Sequence, residues 1–132
     1  MKKKILVIDD EKVIRESFEL ALENTDYHLD TADSGIEGIK KERSKDYDLI
    51  FLDLKMPDIH GTEVLSEIRK VNKKTPIYII TAFHKEFFDE LNSKVQEGLE
   101  FEFVKKPIGM DEIHLIVKSI LEGPTYYQGG FL

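Results

Sequence analysis

Four short apolar runs each end in residues able to bind metal or phosphate. Ile5-Leu6-Val7-Ile8 is followed by Asp9-Asp10, Leu49-Ile50-Phe51-Leu52 by Asp53, Ile77-Tyr78-Ile79-Ile80 by Thr81, and Phe101 to Val104 by Lys105-Lys106. If Asp9, Asp10 and Asp53 share one pocket, their charges repel by several kcal/mol until one is protonated or a cation binds. Hard oxygen ligands without His or Cys nearby favour Mg²⁺. Lys106 and Mg²⁺ together neutralise a phosphoryl group on Asp53, and the Thr81 hydroxyl donates to the same group. The chemistry is attack by a carboxylate on a phosphoryl donor, with metal and Lys stabilising the transferred charge.

That pocket requires the runs to be neighbouring strands. Apolar runs alternate with amphipathic stretches along the chain, the pattern of a parallel sheet with crossover helices. The strand candidates are Lys4 to Ile8, Tyr27 to Ala32, Leu49 to Leu52, Ile77 to Ile80 and Phe101 to Val104. Three are nearly continuous in apolar residues, as strands covered on both faces should be; Tyr27 to Ala32 alternates, which marks an edge. Helical spacing links Ile14, Phe18, Ala21 and Leu22, then Val64, Leu65, Ile68 and Val71, and finally Ile113, Ile116, Val117, Ile120 and Leu121. Phe87, Phe88, Leu91 and Val95 are expected to form the core face of the fourth helix. Ser34 and Glu37 read as a capping box opening the second. The fold predicted is α/β, a doubly wound five-stranded parallel sheet in the order 2-1-3-4-5 with five helices. In such a sheet ligands bind beyond the strands' carboxyl ends where the order reverses, here between strands one and three.

The 132 residues suit one domain, read as 1–122 with a short tail over 123–132 after the Glu122-Gly123-Pro124 stop. Zero cysteines, 41% hydrophobic and 34% charged residues exclude disulfide scaffolds and disordered chains. A net charge of −7 disfavours nucleic acid, which calls for concentrated Lys and Arg. The apolar run after Lys2-Lys3-Lys4 is too short for an export signal, and no stretch approaches a membrane span, so a cytoplasmic protein is expected. His28, His60, His84 and His114 lack metal-ligand spacing and are expected to be surface or satisfied residues. No Gly-rich phosphate loop supports nucleotide binding.

Five motifs in chain order, Ile-Leu-Val-Ile-Asp9-Asp10-Glu11, Leu-Ile-Phe-Leu-Asp53-Leu-Lys-Met56-Pro57, Gly61, Ile-Ile-Thr81-Ala82 and Phe103-Val-Lys-Lys106-Pro107, make the chain resemble the receiver domains of two-component response regulators from about Lys3 to Leu121. The resemblance implies a flavodoxin-like receiver fold and a signalling switch without an output domain of its own. Asp53 would accept a phosphoryl group from a histidine kinase or phosphotransfer protein. Asp10, Asp53 and the Lys55 backbone carbonyl would ligate Mg²⁺ directly and Asp9 through water. Thr81 and Phe103 would be switch residues, and a cis peptide before Pro107 would aim Lys106, not Lys105, into the pocket. A downstream protein would bind the face of helix four, strand five and helix five. The spacing from Thr81 to Lys106 exceeds the family's usual length, and the extra residues are expected around Ser93 to Glu100. Lys55 and Phe83 are expected to shield the acyl phosphate. The rival from another class is a Mg²⁺-dependent aspartyl-phosphate phosphohydrolase; enzymes of the haloacid-dehalogenase type carry a second Asp two positions after the nucleophile, where this chain has Lys55.

Overall fold

The computed structural model describes residues 2–82 and 85–123. Phe83, His84 and the tail from Pro124 onward lie outside them, so the expectations for those residues stop at the sequence. Ten elements alternate: β1 (Lys4–Ile8), α1 (Lys12–Leu22), β2 (His28–Ala32), α2 (Gly35–Ser44), β3 (Leu49–Leu52), α3 (Gly61–Val71), β4 (Ile77–Thr81), α4 (Phe88–Gln96), β5 (Glu102–Lys105) and α5 (Met110–Glu122). All strand pairings are parallel and the order is β2-β1-β3-β4-β5. β1 and β3 pair with Ile8 opposite Leu52, so the residues following both strands emerge together.

Alternation along the strands divides the core into two layers. Leu6, Ile8, Ile50 and Leu52 point to one face, where Ile39 of α2 and Val64, Leu65 and Ile68 of α3 cover them. Ile5, Val7, Leu49 and Phe51 point to the other, under Phe18, Ala21 and Leu22 of α1 and Ile113 and Val117 of α5. Burial of β1 and β3 on both faces is why their sequences run apolar without a break.

Several details depart from the sequence reading, among them β2, which begins at His28 rather than Tyr27, and β4, which runs on to Thr81. β5 starts one residue later than expected, because an edge strand exposed at Glu102, Phe103 and Lys105 offers only Val104 as a buried marker. In the fourth helix Phe87 and Leu91 pack into the core, but Phe88 and Val95 are exposed. Seven residues advance a helix by nearly two turns, so Lys94, whose side chain is 21% exposed, takes the inward slot after Phe87 and Leu91. Its stem lies along the core side while its ammonium reaches Glu97. Val71 is likewise exposed at the last position of α3, and Asn72 turns inward to donate to Glu42.

Ser34 Oγ accepts from Glu37 N at 3.2 Å, as the capping motif predicts. The other free N–H groups of α2 are satisfied from afar: Gly35 N and Ile36 N donate to the Asp58 carboxylate at 3.0 and 2.8 Å. After α4, Gly98 adopts φ of +87°, a left-handed turn that glycine accommodates without strain. The loop that follows is held by Arg69, which is buried and donates twice to the Glu100 carbonyl.

Candidate functional site

Asp53 N donates to Ile8 O at 2.9 Å and Asp9 N to Ala32 O at 3.0 Å, so the sheet's ladder continues one residue past β3 and β1. Both carboxylates are thereby fixed at the strand ends by backbone bonds, and both residues are buried. Asp10 follows Asp9 in an exposed position. One carboxylate oxygen from each of Asp9, Asp10 and Asp53 lies within 4.8 Å of the others.

Lys106 enters the same pocket with only 9% of its side chain exposed. Its Nζ lies 3.0 Å from Asp9 Oδ2, 3.4 Å from Asp53 Oδ1 and 2.5 Å from Glu11 Oε1. The Lys106–Pro107 peptide is cis, as the family resemblance leads one to expect. Lys106 N donates to Thr81 O at 3.1 Å, which ties the ends of β4 and β5, and Thr81 is fully buried at the end of β4. Lys105 is exposed on the edge strand.

The electrostatics favour a cation. Burial, then the charge of Asp9, push the Asp53 carboxyl up to about 7, against the pull of Lys106. Burial raises Asp9 as well, although Glu11 N donates to its Oδ1 at 2.8 Å. Asp9 Oδ2 is buried without a well-directed hydrogen bond, despite its ion pair with Lys106. Lys106 is raised by Glu11, Asp9 and Asp53 even though burial alone would lower it. Three carboxylates, those of Asp9, Asp53 and Glu11, thus share one ammonium with Asp10 close by, and an all-oxygen donor set of this kind fits a hard divalent ion.

Two further sequence-derived residues are more exposed than the pocket's core. Lys55 extends outward, its ammonium 3.7 Å from Glu86 and half exposed, so that its charge faces α4's approach rather than solvent alone. Phe103 on β5 is 38% exposed. Several supporting residues carried no role in the sequence reading. Glu11 competes for Lys106, and Arg15 donates to the Asp9 carbonyl at 2.8 Å. Gly61 is essential sterically: a Cβ there would lie 2.1 Å from the Asp53 carbonyl oxygen. Its N–H donates to Leu54 O at 2.7 Å, pressing the start of α3 onto the strand end that carries Asp53. Glycine eight residues after Asp53 was visible in the sequence, but only the fold shows what it touches. A cleft of about 730 Å³ between the C-terminal ends of α2 and α3 lies at the opposite end of the sheet and takes no part in the pocket.

The profile of the response regulator receiver domain matches residues 5–118. The chain is 36% identical over 121 residues to response regulator ArlR of Staphylococcus saprophyticus, covering 89% of this chain and 52% of the relative. It is 41% identical over 120 residues to transcriptional regulatory protein ResD of Bacillus subtilis, covering 89% and 48%. The chain thus spans about half the length of these curated relatives. Among solved structures, response regulator TrrA of Thermotoga maritima in complex with Mg²⁺ and BeF superposes with a TM-score of 0.74 at 40% identity, covering 89% of this chain and 98% of that one. A CheY-like receiver domain protein from Methanospirillum hungatei gives a TM-score of 0.80 at 25% identity, covering 95% and 98%.

Proposed function

Because the chain belongs to the response regulator receiver domains, signalling switches of two-component systems, we propose that Asp53 is its phosphoacceptor and that the surrounding pocket performs the transfer. One Asp53 oxygen forms an O–P bond as the P–N bond of a phosphohistidine on a histidine kinase or phosphotransfer protein breaks, and the freed imidazole leaves. The observation that carries this is the convergence of Asp9, Asp10, Asp53 and Lys106 at adjoining strand ends. Asp10, Asp53 and the Lys55 backbone carbonyl would hold Mg²⁺, with Asp9 acting through water. When bound, the ion supplies positive charge to the transferred oxygens and relieves the carboxylate repulsion. Lys106 pairs with the phosphoryl group in place of its present carboxylate partners, and Thr81 donates to it.

The output is a conformational one. Thr81 moving toward the phosphoryl group and Phe103 turning inward would alter the face of α4, β5 and α5, where a downstream protein binds. Nothing in the net charge of −7 supports direct contact with nucleic acid by these residues. Among the described residues no helix is long and apolar enough to cross a membrane, in keeping with work in the cytoplasm. Incubation with acetyl phosphate and Mg²⁺ followed by intact-mass measurement tests the assignment. Wild type should gain one phosphoryl group and Asp53→Asn none; an undiminished adduct in the mutant overturns it.

A further inference from the structure

α4 is the element least anchored in the core. No residue from Phe88 to Gln96 is buried, and its hold on the core comes from Phe87 at its start, Leu91 and the stem of Lys94. Its first turn is nevertheless fastened to α3. Thr62 is 1% exposed, and its hydroxyl donates to Glu90 Oε2 at 2.6 Å across 28 residues of sequence. The other Glu90 oxygen lies 4.0 Å from His60 Nδ1, and the His60 ring stands edge-on to Phe87 with centroids 5.0 Å apart. The Lys55–Glu86 pair at 3.7 Å runs parallel to this bond, but both of its members are half exposed and it counts for less.

Thr62 also follows Gly61, whose backbone rests against Asp53 and Leu54. The first turn of α3 therefore touches the phosphoacceptor's backbone on one side and grips α4 on the other. We propose that the Thr62–Glu90 hydrogen bond is a latch that holds α4 in its present position and sets how readily a change at Asp53 reaches α4. Any outward or sideways shift of α4's first turn strips a buried hydroxyl of its charged acceptor, so the bond opposes the shift until the site compensates. Glu90 and Thr62 are positioning residues here, since neither touches the reacting group. The route is separate from that of Thr81 and Phe103, and its regulatory meaning rests on the reading of Asp53 as phosphoacceptor.

Amide hydrogen exchange in the unphosphorylated, full-length chain tests the latch without that premise. Thr62→Val keeps the side chain's shape and Glu90→Ala keeps helix propensity; each should speed exchange of residues 88–96 about three- to tenfold while amides of β1 and β3 keep their rates. The double variant should be no faster than either single one. Thr62→Ser retains the hydroxyl and Asp89→Ala removes a charge from the same turn, so both should match wild type. Additive effects, or acceleration spread over the whole chain in Thr62→Val but not specifically in Glu90→Ala, overturn the latch. Beryllofluoride and Mg²⁺ then test its regulatory role: the α4 amide shifts should reach half-change at a lower beryllofluoride concentration in Glu90→Ala than in wild type. Equal midpoints overturn that role. Absence of any shift in wild type, beside local acceleration in the two variants, would instead overturn the phosphoacceptor reading and leave the latch standing.

Discussion

The Asp53 carbonyl oxygen occupies the space in which Gly61 would carry a side chain, with 2.1 Å between that oxygen and an ideal Cβ. Contact this close is with backbone, which cannot rotate away, so Gly61→Ala must push α3 off the end of β3. Overpacking of a dense core costs about 1 to 3 kcal/mol. The variant's urea midpoint should fall accordingly, and its labelling by acetyl phosphate should fall with it because Asp53 moves. Wild-type stability in Gly61→Ala would mean that the start of α3 is free to retreat.

The pocket's carboxylates should make the metal-free protein less stable as pH rises. Burial and Asp9 raise Asp53 to about 7, whereas an unfolded Asp titrates near ~3.9. The folded state therefore binds more protons between those values, and the slope of stability with pH is negative. Asp9, raised mainly by burial, acts in the same sense. Asp30 is lowered by hydrogen bonds from Tyr47 and Lys45, and Asp58 by backbone N–H groups, both against burial. Their contribution is in place above about pH 4 and lost below it. Lys106 is raised, so what it adds is complete throughout this window. Urea midpoints in EDTA should decline from about pH 4.5 to pH 7 and then level off, and Asp53→Asn should flatten most of the decline. A flat wild-type profile would show that the carboxylate is charged without cost.

Adding Mg²⁺ should offset the same repulsion. Binding only to the folded state raises stability by about 2.7 kcal/mol at 100 times Kd, and the melting temperature should rise by several degrees. Asp10→Ala deletes the exposed carboxylate of the cluster without emptying the core, and the Mg²⁺ response should vanish. A response of unchanged size would place the ion elsewhere.

The sheet was legible because burial on both faces leaves little choice of residue in β1 and β3, and their bounds coincide with the strands expected from the sequence. Their carboxyl-end residues followed directly, since parallel topology alone brings Asp9, Asp10 and Asp53 together. Periodicity failed where a helix is covered only in part: Phe88 and Val95 look like core in the sequence, yet α4 turns Phe87, Leu91 and Lys94 inward. The supporting polar contacts were illegible for another reason. Asp58 capping α2, Arg69 holding Glu100 and Thr62 gripping Glu90 join residues 22 to 31 positions apart, and no local pattern encodes such pairs.

Thr81 should couple the site to the surface without being needed for chemistry. It is buried at the end of β4, beside the backbone bond that joins it to Lys106, whereas Phe103 one strand over is partly exposed. Driving a two-state equilibrium from about 1:99 to 99:1 takes roughly 5.5 kcal/mol of differential stabilisation. Hydrogen bonds to charged groups supply about 1.5 to 3 kcal/mol each, so a Thr81 bond and a Lys106 contact together with the metal are of the right size. Thr81→Ala should accept phosphate from acetyl phosphate to the wild-type extent but populate the switched state poorly. With saturating beryllofluoride and Mg²⁺, its amide shifts over β5, residues 102 to 105, should stay near their starting positions, while those around Asp53 move as in wild type. Equal displacement of both regions in the two proteins would show that the Thr81 hydroxyl does not carry the signal to β5, and would leave α3 and the first turn of α4 as the route.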